Sequence, residues 1–357
     1  MPFYKDLRKE ENKDYSESTI EGITRLRRQL KEEIPERTLD RTLLIATWNI
    51  RDFGEPRWLK GKKRLDESIY YIAEIISAFD IVAIQEIKRD LGSLRRLMRI
   101  LGPKWDWICS DVTEGAKGNR ERLGFIYDKR KIVFRNISGQ IVLPEEGIRD
   151  PEAPKQIART PFLASFQAGW LNFTLCNVHL KYDIRIKHQT RLDELRQISS
   201  ILQKRKQTYL KDENYIILGD FNFRGPDDDG HEVLKENGFV IVDQTILPTN
   251  ISQDKYYDQI AFIQESDQFE FAKNQNSGGV FNYFKSVFRY DRHDQGGISD
   301  EEIYKNHLGQ EKGKKRNSYK FWRTAQMSDH YPLWIEMKID FSDKYLEDAL
   351  KKVKPAN

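Results

Sequence analysis

The sequence predicts an α/β protein in which two packed sheets are flanked by helices, and three observations point there. Short apolar runs alternate with segments of helical period through about 300 residues. Most of those runs are apolar at every position, the signature of strands covered on both faces. At 357 residues the chain is long enough to bury a large core without disulfides or metal staples.

Taken in order, residues 1–40 differ in texture from the rest. Ile20, Ile23, Leu30 and Ile34 recur at helical spacing with Leu26 between them, and Ser18 and Thr19 are candidate N-caps. This reads as one amphipathic helical extension, packed on the main body or on a partner. Strands are then expected at Leu43–Trp48, Ile81–Ile84, Leu123–Tyr127, Leu171–Val178, Tyr215–Leu218, Gln259–Ile263 and Leu333–Met337. Three helices fall between them. Leu65, Ile69, Ile72, Ile76 and Phe79 set the first, and Leu91, Leu94, Leu97 and Leu101 set a second that Gly102-Pro103 stops. The third is set by Leu192, Leu195, Ile198 and Leu202. Residues 265–325 carry no clear period and read as an insertion, functional or mobile, not as a domain.

Composition excludes several classes. Aromatics make up 12% of the chain, too many for a sequence that cannot collapse. No stretch approaches the ~18 consecutive apolar residues of a membrane span, and residues 1–17 hold no apolar run of secretory type. Cys109 and Cys176 form no CxxC pair, which argues against a disulfide framework and a cysteine zinc site. A soluble cytoplasmic protein is the expectation. The formal net charge is only +4, so any interaction with polyanions depends on where the charge lies, not on its sum.

The chemistry gathers at the ends of the apolar runs. Asn49 closes IATWN, Gln85 and Glu86 close IVAIQE, and His179 follows LCNV. Asp220 and Asn222 follow IILG, Asp258 precedes QIAF, and Ser328-Asp329-His330 leads into PLWIEM. Singly, each has an ordinary explanation as a turn-forming Asx or a packed histidine. Together they would converge on one rim of the sheets, where folds of this class place their sites. Oxygen ligands select Mg²⁺ or Mn²⁺ over zinc, with Glu86 the best single ligand and Asn49 and Asp329 beside it. A hard cation with two imidazoles suits attack of water on a phosphoester.

In their order, TWN, IQE, NVHL, GDFN and SDHYP resemble the endonuclease/exonuclease/phosphatase superfamily, most of all its deoxyribonuclease I-like branch. Arg120-Glu121-Arg122, Tyr257-Asp258-Gln259-Ile260 and the Arg159-Thr-Pro-Phe segment extend the likeness. The resemblance implies a four-layered α/β/β/α sandwich of two mixed sheets. It divides the chain into an extension (1–40), a catalytic domain (41–340, with the 265–325 insertion) and a C-terminal tail (341–357). It also implies roles. Glu86 and Asn49 would hold the metal with help from Asp329, and His179 and His330 would be the acid–base pair. Glu121 would orient His179 and Asp258 would orient His330. Asp220 would activate or position water, Asn222 would hold phosphate oxygens, and Arg159 would support the site or contact phosphate. Which group is the general base stays open. The other histidines, His188, His231, His293 and His307, match no motif position. Asn177 shares a strand face with His179 and is a supporting residue. Asp227-Asp228-Asp229 reads as a solvated turn.

Two basic, aromatic clusters adjoin these motifs. Residues 51–64 hold Arg51 with Phe53 and Trp58, and residues 312–323 hold Lys314, Lys315 and Arg316 with Tyr319, Phe321 and Trp322. Basic side chains release counterions from a phosphate backbone and aromatic faces accept unstacked bases. Arg51, Lys314, Lys315, Arg316 and Trp322 are therefore expected to bind substrate. The expected activity is metal-dependent hydrolysis of phosphodiesters, with DNA the expected partner and an endonuclease the form. The alternatives are a phosphatase or phosphodiesterase for inositol or lipid phosphoesters, and a non-catalytic nucleic-acid-binding relative. RNA and the oligomeric state are left open.

Overall fold

A computed structural model describes residues 2–8, 13–54, 64–113, 120–143, 156–182, 191–208, 214–263, 277–290, 298–308 and 318–353. The first sheet is built from β1 (Thr42–Phe53), β2 (Ile81–Lys88), β3 (Trp105–Cys109), β4 (Glu121–Asp128), β11 (Gly278–Val280) and β12 (Leu333–Lys338), in the order β11-β12-β1-β2-β4-β3. The second comprises β5 (Val133–Gln140), β6 (Phe162–Ala168), β7 (Leu171–His179), β8 (Asn214–Asp220), β9 (Phe239–Ile241) and β10 (Asp258–Ile263), in the order β5-β6-β7-β8-β10-β9. Each sheet is mixed: β1/β2 and β7/β8 run parallel, and the remaining described pairs are antiparallel.

Three apolar layers glue the sandwich. Leu43, Ile45, Phe125, Phe166, Leu218 and Ile335 lie between the sheets. On the outer face of the first sheet, α1 (Lys13–Glu33), α2 (Asp66–Ser77) and α3 (Gly92–Leu101) cover Trp48, Ile50 and Ile84. On the outer face of the second, α4 (Arg191–Thr208) and α5 (Gly230–Glu236) cover Cys176, Val178 and Ile217. This is the four-layered α/β/β/α arrangement. Both faces of the central strands are buried, which is why they read as continuous apolar runs.

Strands that failed that criterion escaped the sequence reading. β5 is largely exposed, and in β6 the small Ala164 and Ser165 interrupt the apolar run. β3, β9 and β11 are only five, three and three residues long. The extension begins at Lys13, before Ser18 and Thr19, so neither is its N-cap. Thr19 is buried and donates to Glu67 Oε2 (3.2 Å). Ile20 is exposed and stands outside the stripe that Ile23, Leu26, Leu30 and Ile34 bury.

The aperiodic region supplies β11, the helical turn α6 (Glu301–Tyr304) and α7 (Tyr319–Gln326) to the first sheet and its helical layer. Residues 342–353 of the tail form α8 (Ser342–Val353), with no side chain buried. The two sheets are tied beneath the site. Gln85 Nε2 donates to Asn177 Oδ1 (2.7 Å), and Asn177 Nδ2 donates to the carbonyls of Ile84 (3.1 Å) and Gly124 (2.9 Å). Asn177 thus crosses from one sheet to the other, a supporting role within the rim.

Candidate active site

The register of the second sheet makes His179, Asp220 and Asp258 neighbours on one rung: His179 pairs with Asp220 across β7/β8, and Asp220 with Asp258 across β8/β10. In the first sheet, Asn49 pairs with Gln85 and Lys88 with Glu121. Close packing of β7 on β8 requires Gly219, whose φ is +140° and where a Cβ would lie 2.0 Å from the Val178 carbonyl oxygen. His330 arrives on the lead-in to β12. Trp48 Nε1 (3.0 Å) and the Tyr283 hydroxyl (2.9 Å) both donate to its carbonyl, and its N–H donates to Ser328 Oγ (3.1 Å).

Two imidazole–carboxylate dyads face each other across Asp220. His179 Nδ1 lies 2.6 Å from Glu121 Oε1 and its Nε2 3.3 Å from Asp220 Oδ2. His330 Nδ1 lies 2.8 Å from Asp258 Oδ2, and its Nε2 3.8 Å from the same Asp220 oxygen. Burial alone would raise the Glu121 pKa, but His179, Arg159 and Lys88 together hold it near 2. Burial likewise disfavours a charged His330, yet the carboxylates of Asp258 and Asp220 carry it up to about 10.

The expected metal ligands sit beside the dyads. Asn49 Nδ2 donates to Asp220 Oδ2 (2.9 Å) and reaches Glu86 Oε1 (3.4 Å), leaving Asn49 Oδ1 buried with no partner. Glu86 has φ +62°, and its Oε2 accepts the Asp52 N–H (2.8 Å). An orphaned amide oxygen beside a carboxylate is the donor set a hard divalent cation takes, so these residues fit such an ion. Among the described residues, two groups have ligand atoms within 4.8 Å of one another: Glu86, Glu121 and His179, and Asp220, Asp258 and His330. Asp329 joins neither. Its side chain is 46% exposed and lies 3.5 Å from Arg51 Nη1.

Other expected residues take definite places. Asn222 has φ +55°, its N–H donates to Asp220 Oδ1 (3.0 Å) and its amide to the Leu180 carbonyl (2.7 Å). Arg159 Nε is 3.2 Å from Glu121 Oε1, behind the His179 dyad. Arg51 donates to Thr324 Oγ1 (2.7 Å) and lies over the Phe321 ring. Trp322 is not at the surface. It is 4% exposed and packs among Phe288, Tyr304 and Tyr319, because α7 turns that side inward. Lys314, Lys315 and Arg316 lie outside the described residues, as do His188 and His293.

Asp228 is no solvated turn residue. It accepts from Arg191 Nη2 (2.6 and 2.8 Å) and from the Arg224 (2.9 Å) and Gly230 (3.0 Å) N–H groups, while Arg191 also donates to the Asn222 carbonyl. Arg191 therefore clamps the loop that carries Asn222. His231 is a packed histidine, with Nδ1 2.8 Å from the Pro226 carbonyl and its ring on Phe223.

Sequence reasoning missed Lys88. Its buried Nζ lies 2.8 Å from Asp52 Oδ1, 3.5 Å from Glu86 Oε2 and 3.9 Å from Glu121 Oε2. The available signal was two-residue alternation, which puts Lys88 on the strand face of Glu86.

Residues 46–254 match the endonuclease/exonuclease/phosphatase family. Two curated relatives are both endonuclease/exonuclease/phosphatase family domain-containing protein 1. The Rattus norvegicus protein is 25% identical over 226 residues and the Bos taurus protein 26% identical over 228. The matched segments cover 58% and 59% of this chain, but only 38% of each relative's length. Among solved structures, a Bacteroides thetaiotaomicron mannosyl-6-phosphatase is similar at TM-score 0.53 and 16% identity, covering 83% of this chain and 99% of that one. D. rerio TDP2, in complex with a single-strand DNA product, is similar at 0.52 and 12%, covering 83% and 98%. At such identities the two structures speak for the fold alone. With the matched family spanning both strands of the first sheet's parallel pair, His179 and the GDFN turn, the chain belongs to the endonuclease/exonuclease/phosphatase family of phosphoester hydrolases.

Proposed function

We propose that the protein is a divalent-cation-dependent nuclease that hydrolyses phosphodiester bonds within DNA. The observation that carries this reading is the convergence of the His179–Glu121 and His330–Asp258 dyads on one oxygen of Asp220, beside Glu86 and the unpartnered Asn49 oxygen. Hydrolysis of a phosphodiester needs charge neutralised on the phosphate, a water aligned for attack and a proton for the leaving oxygen. Glu86 Oε1 and Asn49 Oδ1 would hold Mg²⁺ or Mn²⁺, which supplies Lewis-acid neutralisation of phosphate charge when bound.

The chain's own groups supply the rest. Asp220, an acceptor shared by both rings and Asn49, orients the attacking water and takes its proton. His330 is protonated at neutral pH by virtue of Asp258 and Asp220, and donates from Nε2 to a phosphate or leaving oxygen. Glu121 and Arg159 fix the His179 ring so that Nε2 faces the same space. Arg51 stands at the rim next to Asp329, where a flanking phosphate would lie. A DNA substrate is further supported by the basic sequence of residues 51–64 and 312–323, which includes Lys314, Lys315 and Arg316.

The test is incubation with circular plasmid DNA in Mg²⁺ and in EDTA, alongside Glu86→Ala and His330→Ala. Mg²⁺-dependent nicking, lost in both variants, is the expected result, with relaxed circles preceding linear DNA. A folded protein that leaves the plasmid intact but releases phosphate from inositol or sugar phosphates would replace this reading with that of a phosphatase.

A further inference from the structure

A second surface leads directly out of the dyads. The Tyr257 ring lies against His330, with centroids 5.3 Å apart and planes inclined by 32°. Tyr182 meets Tyr257 edge to face, at 6.1 Å and 87°. Edge-to-face contact with a half-buried ring holds the outer tyrosine in one orientation. Tyr182 is nonetheless 48% exposed. Arg224 completes the group: its guanidinium carbon lies 5.3 Å from the Tyr182 centroid, and no carboxylate among the described residues pairs with it.

These three side chains form a surface with two chemistries. Tyr182 offers an aromatic ring that is 48% exposed, and Arg224, lying over that ring, offers a cation with no carboxylate partner among the described residues. A ligand that uses both has a flat aromatic group and a phosphate one linkage apart, and it must also reach His330. A nucleotide next to the scissile bond meets all three conditions. A sugar phosphate or an inositol phosphate has no aromatic plane and offers the ring only its C–H groups.

We propose that Tyr182, braced by Tyr257 and flanked by Arg224, is a base-stacking subsite for the nucleotide adjoining the bond cut, with Arg224 on that nucleotide's outer phosphate. The inference rests on the nuclease reading and names its substrate more closely: a strand whose bases are unstacked at the site, as in single-stranded or frayed DNA. Stacking on one aromatic face is indifferent to which base is presented, so the subsite selects for a base and not for a sequence.

The test compares two substrates with the same backbone, a short single-stranded oligothymidylate and an oligomer in which tetrahydrofuran spacers replace every nucleoside. The readout is the ratio of kcat/KM on the two. Wild-type protein is expected to favour the base-bearing strand by about ten-fold or more, the loss typical of removing one base–aromatic stack. Tyr182→Ala should collapse that ratio toward one, while Tyr182→Phe, which keeps the ring, should preserve it. Tyr182 is exposed, so the substitution leaves the core intact. Arg224→Met should raise KM on both oligomers and flatten the salt dependence of binding without changing their ratio. A wild-type ratio near one, or a ratio that survives Tyr182→Ala, would overturn the subsite while leaving the nuclease reading in place. Cleavage of neither oligomer, nor of plasmid, would overturn both.

Discussion

Glu67 gives the sharpest quantitative prediction. It opens α2 as a buried carboxylate, and its Oε2 accepts from the hydroxyls of Tyr304 (3.0 Å), Thr19 (3.2 Å) and Tyr71 (3.2 Å), whereas Oε1 has no partner. Burial outweighs these hydrogen bonds and raises its pKa from 4.5 to about 7. The folded state therefore binds a proton more tightly than the unfolded chain does. Stability from this source is complete below the unfolded value and is lost as pH rises through about 7. Linkage over that interval gives a loss of about 2 kcal/mol between about pH 5.5 and about pH 8.5. Other groups titrate in the same window, so the quantity to measure is the difference between wild type and Glu67→Gln in urea unfolding at the two pH values. The amide introduces a fixed penalty, because its N–H groups face the position of the unpartnered Oε1, but that penalty cancels in the pH difference. Wild type should lose about 2 kcal/mol more than the variant across the window. Parallel stability curves would show that Glu67 titrates alike in both states and that water reaches it through the contact between α1 and α2.

Two further predictions concern the site and its margin. Lys88→Met removes a cation that competes for Glu86 Oε2, so Mn²⁺ binding followed by electron paramagnetic resonance should tighten by roughly ten-fold while turnover falls; weaker binding would show that Lys88 serves only to order Glu86. Trp322→Ala should cost about 3–5 kcal/mol in urea unfolding, as loss of a buried indole does, and leave the salt slope of oligonucleotide binding unchanged; a shallower slope with little loss of stability would restore Trp322 to the binding surface.

The strand ends were legible because a polar residue that closes an all-apolar run must lie on the rim. Asn49, Glu86, His179 and Asp220 each close such a run and Asp258 opens one, and knowing the run was enough to place the residue. What joins them was not legible. Nothing local shows that Asp220 Oδ2 faces both imidazoles, because that depends on two antiparallel or parallel registers and on the spacing between sheets. Lys88 was hidden for a different reason: a lysine at a strand end reads as a solvated charge. Its burial comes from Asp52 and Glu121, which lie 36 and 33 positions away.

The error over Trp322 shows what a composition-based reading cannot separate. Residues 312–323 combine positive charge with aromatic rings, which suits a nucleic-acid surface and equally suits an amphipathic helix on a core. Period decides between them. Tyr319, Trp322 and Ala325 are spaced by three and are all buried, whereas Lys320 between them is exposed and Phe321 only half-buried. Helical phase thus sends Tyr319 and Trp322 in and leaves Lys320 out, while Arg323 is buried over the Phe284 ring. Tyr182 presents the opposite case. It follows NVHLK with no period to assign it and no charge run to draw notice. Its significance comes from Tyr257, 75 positions further on, which leans on His330 and so carries the edge of the site outward. An exposed aromatic acquires a functional meaning when a rigid neighbour connects it to the chemistry, and only the tertiary structure supplies that neighbour.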